Sequence, residues 1–161
     1  MTVGFPQVGH CLCGEIEYHL EEDPLTVYLC HCTDCQTQSG SAFAISMIVR
    51  EEALEFVRGR PRCTTTELAD GRVKRSRDCA TCGVRLAGFS SVEGFAVVEP
   101  GTLDDTSWFW PVGHIWTRSA QPWFEIPPDS IVVSKQPDQE QVLDMVRAWK
   151  NQRAALESDQ D

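Results

Sequence analysis

Short stretches of alternating or uniformly apolar residues dominate the chain and predict β-strands. Residues 15–20 alternate, with Ile16, Tyr18 and Leu20 on one face. Residues 42–49 form a longer apolar run that predicts a buried strand. Further stretches between turn signals also predict strands, at residues 25–29, 54–57, 72–77, 84–89 and 95–98.

One amphipathic pattern near the C-terminus predicts a long helix. Asp138 stands at the N-cap position and Gln141 follows three residues later, as in a capping box. The apolar residues at helical spacing are predicted to pack in the core: Val142, Leu143, Val146 and Trp149. We therefore expect a mainly β domain over residues 1–156 with a C-terminal helix, followed by an acidic tail over residues 157–161.

Charge and composition exclude several function classes. The chain has 161 residues, with 24 acidic and 14 basic side chains and a formal charge of −10, and such a field disfavours nucleic acid as a partner. No apolar run is long enough to cross a bilayer, and the first ten residues lack the features of a signal peptide. We expect a cytoplasmic protein that binds neither membranes nor nucleic acid.

The eight cysteines are grouped in a way that indicates metal binding rather than disulfides. Seven of them fall into three tight groups: Cys11 and Cys13; Cys30, Cys32 and Cys35; Cys79 and Cys82. Cys63 stands apart from these groups. Tight grouping suits chelation because one zinc ion must contact several sulfurs at about 2.3 Å each.

The first and third groups together predict a closed structural zinc site. Cys11 and Cys13 are expected at the start of a strand, where residues two apart share a face. Cys79 and Cys82 form a C-x-x-C turn, and Gly83 permits the tight bend that follows. A redox role for this turn is less favoured, since no βαβ pattern surrounds it.

The second group predicts either an open or a closed zinc site. Three thiolates from Cys30, Cys32 and Cys35 would leave one tetrahedral position for a substrate. His31 lies between two of these cysteines and is expected to point away from the ion. A zinc ion with three sulfur ligands suits a soft guest, which makes a thiol the favoured substrate.

In the closed alternative, the protein itself supplies the fourth ligand. The candidates for that position are Cys63, His10 and His114. Spacing alone leaves the open and the closed arrangement equally supported.

The ordered motifs of the chain resemble one known family. They are Gly9-His10-Cys11-Leu12-Cys13-Gly14, Cys30-His31-Cys32-Thr33-Asp34-Cys35 with Ser39-Gly40-Ser41-Ala42-Phe43, Cys79-Ala80-Thr81-Cys82-Gly83, Gly101-Thr102-Leu103-Asp104-Asp105 and Pro111-Val112-Gly113-His114-Ile115-Trp116, ending near Trp123. In this order they resemble the glutathione-dependent formaldehyde-activating enzyme and centromere protein V family.

The resemblance implies a fold, two zinc ions per chain and an activity. The implied fold is a zinc-stabilised, mainly β domain related to methionine sulfoxide reductase B. The implied structural zinc lies at Cys11, Cys13, Cys79 and Cys82, and the implied catalytic zinc lies at Cys30, Cys32 and Cys35. The implied reaction is the condensation of glutathione with formaldehyde to S-hydroxymethylglutathione, which is carbon–sulfur lyase chemistry.

We therefore expect an enzyme that joins a small thiol to a small aldehyde or catalyses the reverse cleavage. His114 is a candidate proton shuttle, and its alternative role is core packing. Most of the aromatic residues between 108 and 124 are expected in the core, with one or two lining a pocket. The alternatives to an enzyme are a zinc-stapled binding module and a glutathione carrier without turnover.

Overall fold

The computed structural model describes residues 3–89 and 92–158, which form two compact units. The first unit contains Leu25–Met47 and residues 109–158, and the second contains Gly4–Pro24 and Ile48–Trp108. The expectation of a single domain over residues 1–156 stays a prediction. Of the predicted acidic tail, residues 159–161 lie outside the described residues.

The described residues are mainly β, with one long helix at the C-terminal end. The strands are β1 (Gln7–His10), β2 (Glu17–Leu20), β3 (Thr26–Cys30), β4 (Ala44–Arg50), β5 (Leu54–Arg58), β6 (Arg62–Glu67), β7 (Val73–Asp78), β8 (Arg85–Phe89), β9 (Phe95–Val98), β10 (Gly113–Ile115) and β11 (Ile131–Val132). The helices are α1 (Thr33–Ser39) and α2 (Gln139–Ser158), together with short 3-10 helices at Glu51–Ala53, Pro100–Thr102 and Thr117–Ser119.

The second unit contains two antiparallel ladders. Strands β1, β2 and β5 form one, and β9, β8, β7 and β6 pair in that order in the other. Ile16, Tyr18 and Leu20 are each at most 1% exposed, which confirms the face predicted from their alternation. The turn between β1 and β2 and the turn between β7 and β8 carry the first and third cysteine groups.

The first unit is built around β3. Strand β10 pairs in parallel with both β3 and β11, and the Thr26 hydroxyl donates a hydrogen bond to the Met145 carbonyl of α2 at 3.1 Å. β3 ends at Cys30, and α1 begins three residues later at Thr33, so the second cysteine group spans a strand-to-helix junction.

The predicted fold class is confirmed as mainly β with a C-terminal helix, while the relation to methionine sulfoxide reductase B stays a prediction. Each predicted stretch contains or overlaps an observed strand. The pattern did not reveal β1, β6, β10, β11 or α1. β10 and β11 have only three and two residues, and β6 is exposed along most of its length, so neither period nor apolarity marks them.

Helix α2 begins with the predicted capping box but buries a different face. The Gln141 N–H donates to Asp138 Oδ1 at 2.9 Å, and the Asp138 N–H donates to Gln141 Oε1 at 3.0 Å. The predicted stripe is wrong at Val142 and Leu143, which are 38% and 47% exposed. The buried positions are instead Met145, Trp149 and Arg153, spaced four apart.

That correction has a physical cause. Apolarity alone predicts the stripe, whereas the buried face includes the charged Arg153 beside two large apolar side chains.

No helix in the described part of the chain is both long and apolar enough to cross a membrane.

The orientation of α2 predicts unequal effects for two substitutions to alanine. Trp149→Ala removes a side chain that is 1% exposed and should lower the free energy of unfolding by about 3–5 kcal/mol. Leu143→Ala, at a position 47% exposed, should cost at most about 0.5 kcal/mol. Urea unfolding of both variants measures the difference, and equal losses would contradict the observed orientation.

Candidate metal centres

Four cysteine sulfurs of the second unit converge on one point. The Sγ atoms of Cys11, Cys13, Cys79 and Cys82, which we call the four-cysteine cluster, all lie within 4.8 Å of one another. Cys13 Sγ lies 3.5 Å from Cys11 Sγ and 3.7 Å from Cys79 Sγ. These separations fit a tetrahedral zinc ion, whose sulfur ligands are roughly 3.8 Å apart when each metal–sulfur bond is about 2.3 Å.

Two tight turns present these sulfurs. The Gly14 N–H donates to the Cys11 carbonyl at 3.0 Å, and the Gly83 N–H donates to the Cys79 carbonyl at 2.9 Å. Both glycines have positive φ, +74° and +75°, a region that side chains with a Cβ disfavour. Cys11 and Cys13 thus lie in the turn after β1, and the prediction that they start a strand is wrong.

The thiols of the four-cysteine cluster differ in pKa because their backbone and side-chain contacts differ. The N–H of Val84 lowers the pKa of Cys82 to about 6. The N–H of Glu15 lowers the pKa of Cys13, but burial and the neighbouring sulfurs outweigh it and raise that pKa to about 12. Because the four thiolates repel one another, full ionisation requires a positive charge in their midst, which a divalent metal supplies.

The first unit contains a second group, the three-cysteine cluster of Cys30, Cys32 and Cys35. Its sulfurs also lie within 4.8 Å of one another. Cys30 ends β3, Cys32 is the N-cap of α1, and Cys35 lies in the first turn of that helix. The Cys35 N–H donates to Cys32 Sγ at 3.4 Å, so the cap itself aims one sulfur toward the next.

The three-cysteine cluster has a buried side and an exposed side. Cys30 is 6% exposed, whereas Cys32 and Cys35 are half-buried. The pKa of Cys30 is strongly raised because the thiols of Cys32 and Cys35 hydrogen-bond to it and burial disfavours its charge. A divalent metal would replace the shared protons here as well.

No fourth histidine, cysteine, aspartate or glutamate joins the three-cysteine cluster among residues 3–89 and 92–158. The three residues considered as a fourth ligand have other positions. His10 hydrogen-bonds to Asp104 and Glu17, Cys63 is exposed on β6, and His114 Nδ1 lies 2.9 Å from His31 Nε2.

His31 and His114 form a buried pair behind the three-cysteine cluster. They are 0% and 3% exposed, and their rings stack with centroids 5.2 Å apart against Phe43 and Phe124. Burial lowers both pKa values, that of His114 to about 4, so both rings are neutral at pH 7. The His31 ring lies against His114 and is not part of the three-cysteine cluster, in agreement with the expectation that it is not a metal ligand.

A chain of amide hydrogen bonds, which sequence reasoning missed, holds the main chain of the three-cysteine cluster. Gln36 Nε2 donates to the carbonyls of His31 and Ser119, both at 2.8 Å. The Ser119 hydroxyl donates to the same His31 carbonyl at 2.9 Å, and Gln121 Nε2 donates to Gln36 Oε1 at 3.1 Å. No motif signals these residues, because they meet only through the fold.

Comparison with known proteins identifies the family of this chain. The model of a family described as glutathione-dependent formaldehyde-activating enzyme matches residues 6–119. A crystal structure of a Rhodobacter sphaeroides protein is similar with 24% sequence identity and a TM-score of 0.48, covering 60% of this chain and 87% of that one. No curated protein sequence matches significantly. Because the family match spans most of the chain and includes all seven clustered cysteines, the chain belongs to the glutathione-dependent formaldehyde-activating enzyme family.

Proposed function

We propose that this protein is a zinc-dependent carbon–sulfur lyase that adds a small thiol, such as glutathione, to a small aldehyde, such as formaldehyde, or catalyses the reverse cleavage. One observation carries the proposal: three cysteine sulfurs converge on a partly exposed point, and no fourth histidine, cysteine, aspartate or glutamate of the described chain joins them. Family membership supports the same class of reaction.

The chemistry follows from the donor set of the three-cysteine cluster. A zinc ion bound there would favour the thiolate form of an incoming thiol at neutral pH. In the forward reaction the sulfur attacks the aldehyde carbon, a carbon–sulfur bond forms, and the carbonyl π electrons move to oxygen, which takes up a proton. For formaldehyde and glutathione the product is S-hydroxymethylglutathione, and no protein nucleophile is needed.

The chain contributes positioning rather than covalent chemistry. Cys30, Cys32 and Cys35 hold the ion, and the strand-to-helix junction fixes their directions. A role of His114 as proton shuttle remains part of the proposal. Any proton that leaves its Nδ1 would pass to His31, 2.9 Å away.

The four-cysteine cluster is proposed to hold a second, structural zinc. Cys13 and Cys79 are 66 residues apart in sequence, so an ion between them ties two distant turns together. A site with four protein ligands has no position for a substrate, and its binding energy contributes to folding.

Metal analysis tests the two sites separately. The purified protein should contain about two zinc ions per chain. Cys79→Ser should lose one zinc and lower the melting temperature strongly, whereas Cys35→Ser should lose one zinc with a smaller effect on melting. Cys63→Ser is the matched control and should retain both ions, because Cys63 is exposed and outside both clusters.

X-ray absorption decides between the open and the closed arrangement. The Cys79→Ser variant should retain zinc only at the three-cysteine cluster. In this variant we expect three sulfur ligands and one light atom around the metal. Four sulfurs there would contradict an open site and would favour a zinc-stapled binding module.

Exchange NMR tests the reaction. With zinc-loaded protein, glutathione and ¹³C-formaldehyde, the interconversion of free and thiol-bound formaldehyde should be faster than in buffer. Cys35→Ser should reduce the acceleration by about 10²-fold or more, because it removes one ligand of the proposed catalytic metal. Cys63→Ser should match the wild type, and heat of glutathione binding without any acceleration would indicate a carrier.

A further inference from the structure

A surface depression lies beside helix α1 in the first unit, with a volume of about 580 Å³. Its lining residues are Gln36, Thr37, Gly40, Ser41, Ala42, Gln121 and Trp123. Gln36 directly follows Cys35, and consecutive Cα atoms are about 3.8 Å apart. The depression therefore begins one residue along the chain from the three-cysteine cluster.

Trp123 presents an exposed aromatic ring at this depression. Its side chain is 68% exposed, yet its indole Nε1 donates a hydrogen bond to Gln121 Oε1 at 2.7 Å. Gln121 in turn donates to Gln36 Oε1. A large apolar ring that is exposed, with its N–H already hydrogen-bonded, leaves its faces available to stack on a ligand.

The depression offers polar groups but no charge. All of its lining residues are uncharged. Both Gln36 Nε2 hydrogens are used by the His31 and Ser119 carbonyls. The Gln36 amide therefore has no donor left for a ligand carboxylate.

The charges around the depression disfavour an anionic ligand. Among the residues next to its lining segments, Asp34 and Glu125 are acidic, and the Arg118 guanidinium lies over the Trp116 ring, 4.8 Å from its centroid. Three thiolates around a divalent ion leave a net charge of about −1, and the chain as a whole carries −10. A ligand carboxylate placed in the depression would find no cation in the lining to offset the net negative charge of the chain.

Resting on the proposed lyase function, we propose that the thiol substrate carries an uncharged, hydrogen-bonding tail, such as a sugar ring or a carboxamide, which stacks on Trp123. Such a tail has an apolar face for the indole and hydroxyl or amide groups for the polar rim. The depression would then select neutral thiols over thiols that end in a carboxylate, including glutathione.

Binding of sulfur-free tails tests the depression apart from the chemistry. N-acetylalaninamide and N-acetylalanine differ only in a carboxamide against a carboxylate, and methyl β-glucoside represents a sugar. In ¹H–¹⁵N spectra of the zinc-loaded protein, the Trp123 indole signal should shift saturably with a neutral tail, with a Kd at least tenfold lower than for N-acetylalanine. The two neutral probes show whether a sugar or an amide is preferred.

Two tryptophan variants control this measurement. Trp123→Ala should abolish the saturable binding, followed by the backbone amide of Gly40. Trp110→Ala should leave it unchanged, because Trp110 is similarly exposed at 72% but does not line the depression. Equal or tighter binding of N-acetylalanine would overturn the proposal.

A kinetic comparison with matched thiols separates this inference from the proposed function. At equal thiolate concentration, N-acetylcysteinamide should show a kcat/KM for formaldehyde condensation at least tenfold above that of N-acetylcysteine. Trp123→Ala should reduce this ratio mainly through KM, and Arg118→Gln should leave it unchanged. If both glutathione and N-acetylcysteine exceed the amide, the tail preference is wrong and the lyase survives; if no thiol reacts faster than in buffer, the lyase function fails.

Discussion

The structure depends on bringing several cysteine sulfurs to within contact distance of one another. Thiolates repel each other, and burial further disfavours their charge, so such clusters are stable as thiols or around a cation. The raised pKa of Cys30, and the divergence of the Cys13 and Cys82 pKa values, are the mark of this conflict. A divalent metal would resolve it at both clusters, where the sulfurs lie close enough together to share one ion.

The two clusters differ in the elements that carry them. This difference matches the structural role proposed for one cluster and the catalytic role proposed for the other. In the four-cysteine cluster, two glycine-ended turns from distant parts of the sequence close around one point. In the three-cysteine cluster, one short segment runs from a strand end into a helix, and two of its sulfurs stay partly exposed. A metal in the first arrangement would link distant chain segments, while a metal in the second would be partly exposed to solvent.

The sequence could reveal what depends on local spacing. Three features depend only on residues close together in sequence: the cysteine groups, the alternation of Ile16 and Tyr18, and the capping box at Asp138. The structure confirms all three. It could not reveal which face of α2 is buried, because Arg153 is charged and lies in the buried set. Nor could it reveal α1, whose seven residues include no buried side chain.

The sequence could not reveal the amide chain around Gln36 either, since two of its partners, Ser119 and Gln121, lie 83 and 85 residues away and carry no motif. Such contacts are set by tertiary structure alone. They can therefore differ between proteins that have the same cysteine ligands. Cysteine ligands fix the class of metal chemistry for any protein that has them. The residues around the cysteines determine which substrate could reach a metal bound there.

The main chain of His31 connects the cysteine ligands with the residues that surround them. Its carbonyl accepts hydrogen bonds from Gln36 and Ser119, while its ring is bonded to His114 inside an aromatic cluster. The residue between two proposed metal ligands is therefore held through both its carbonyl and its ring, so a shift of Cys30 or Cys32 would disturb these hydrogen bonds. Because Gln36 also anchors Gln121, and through it Trp123, the proposed substrate platform and the metal loop share one set of bonds. In the proposed function, the same hydrogen bonds would therefore govern both which thiol tail binds and how its sulfur is aligned.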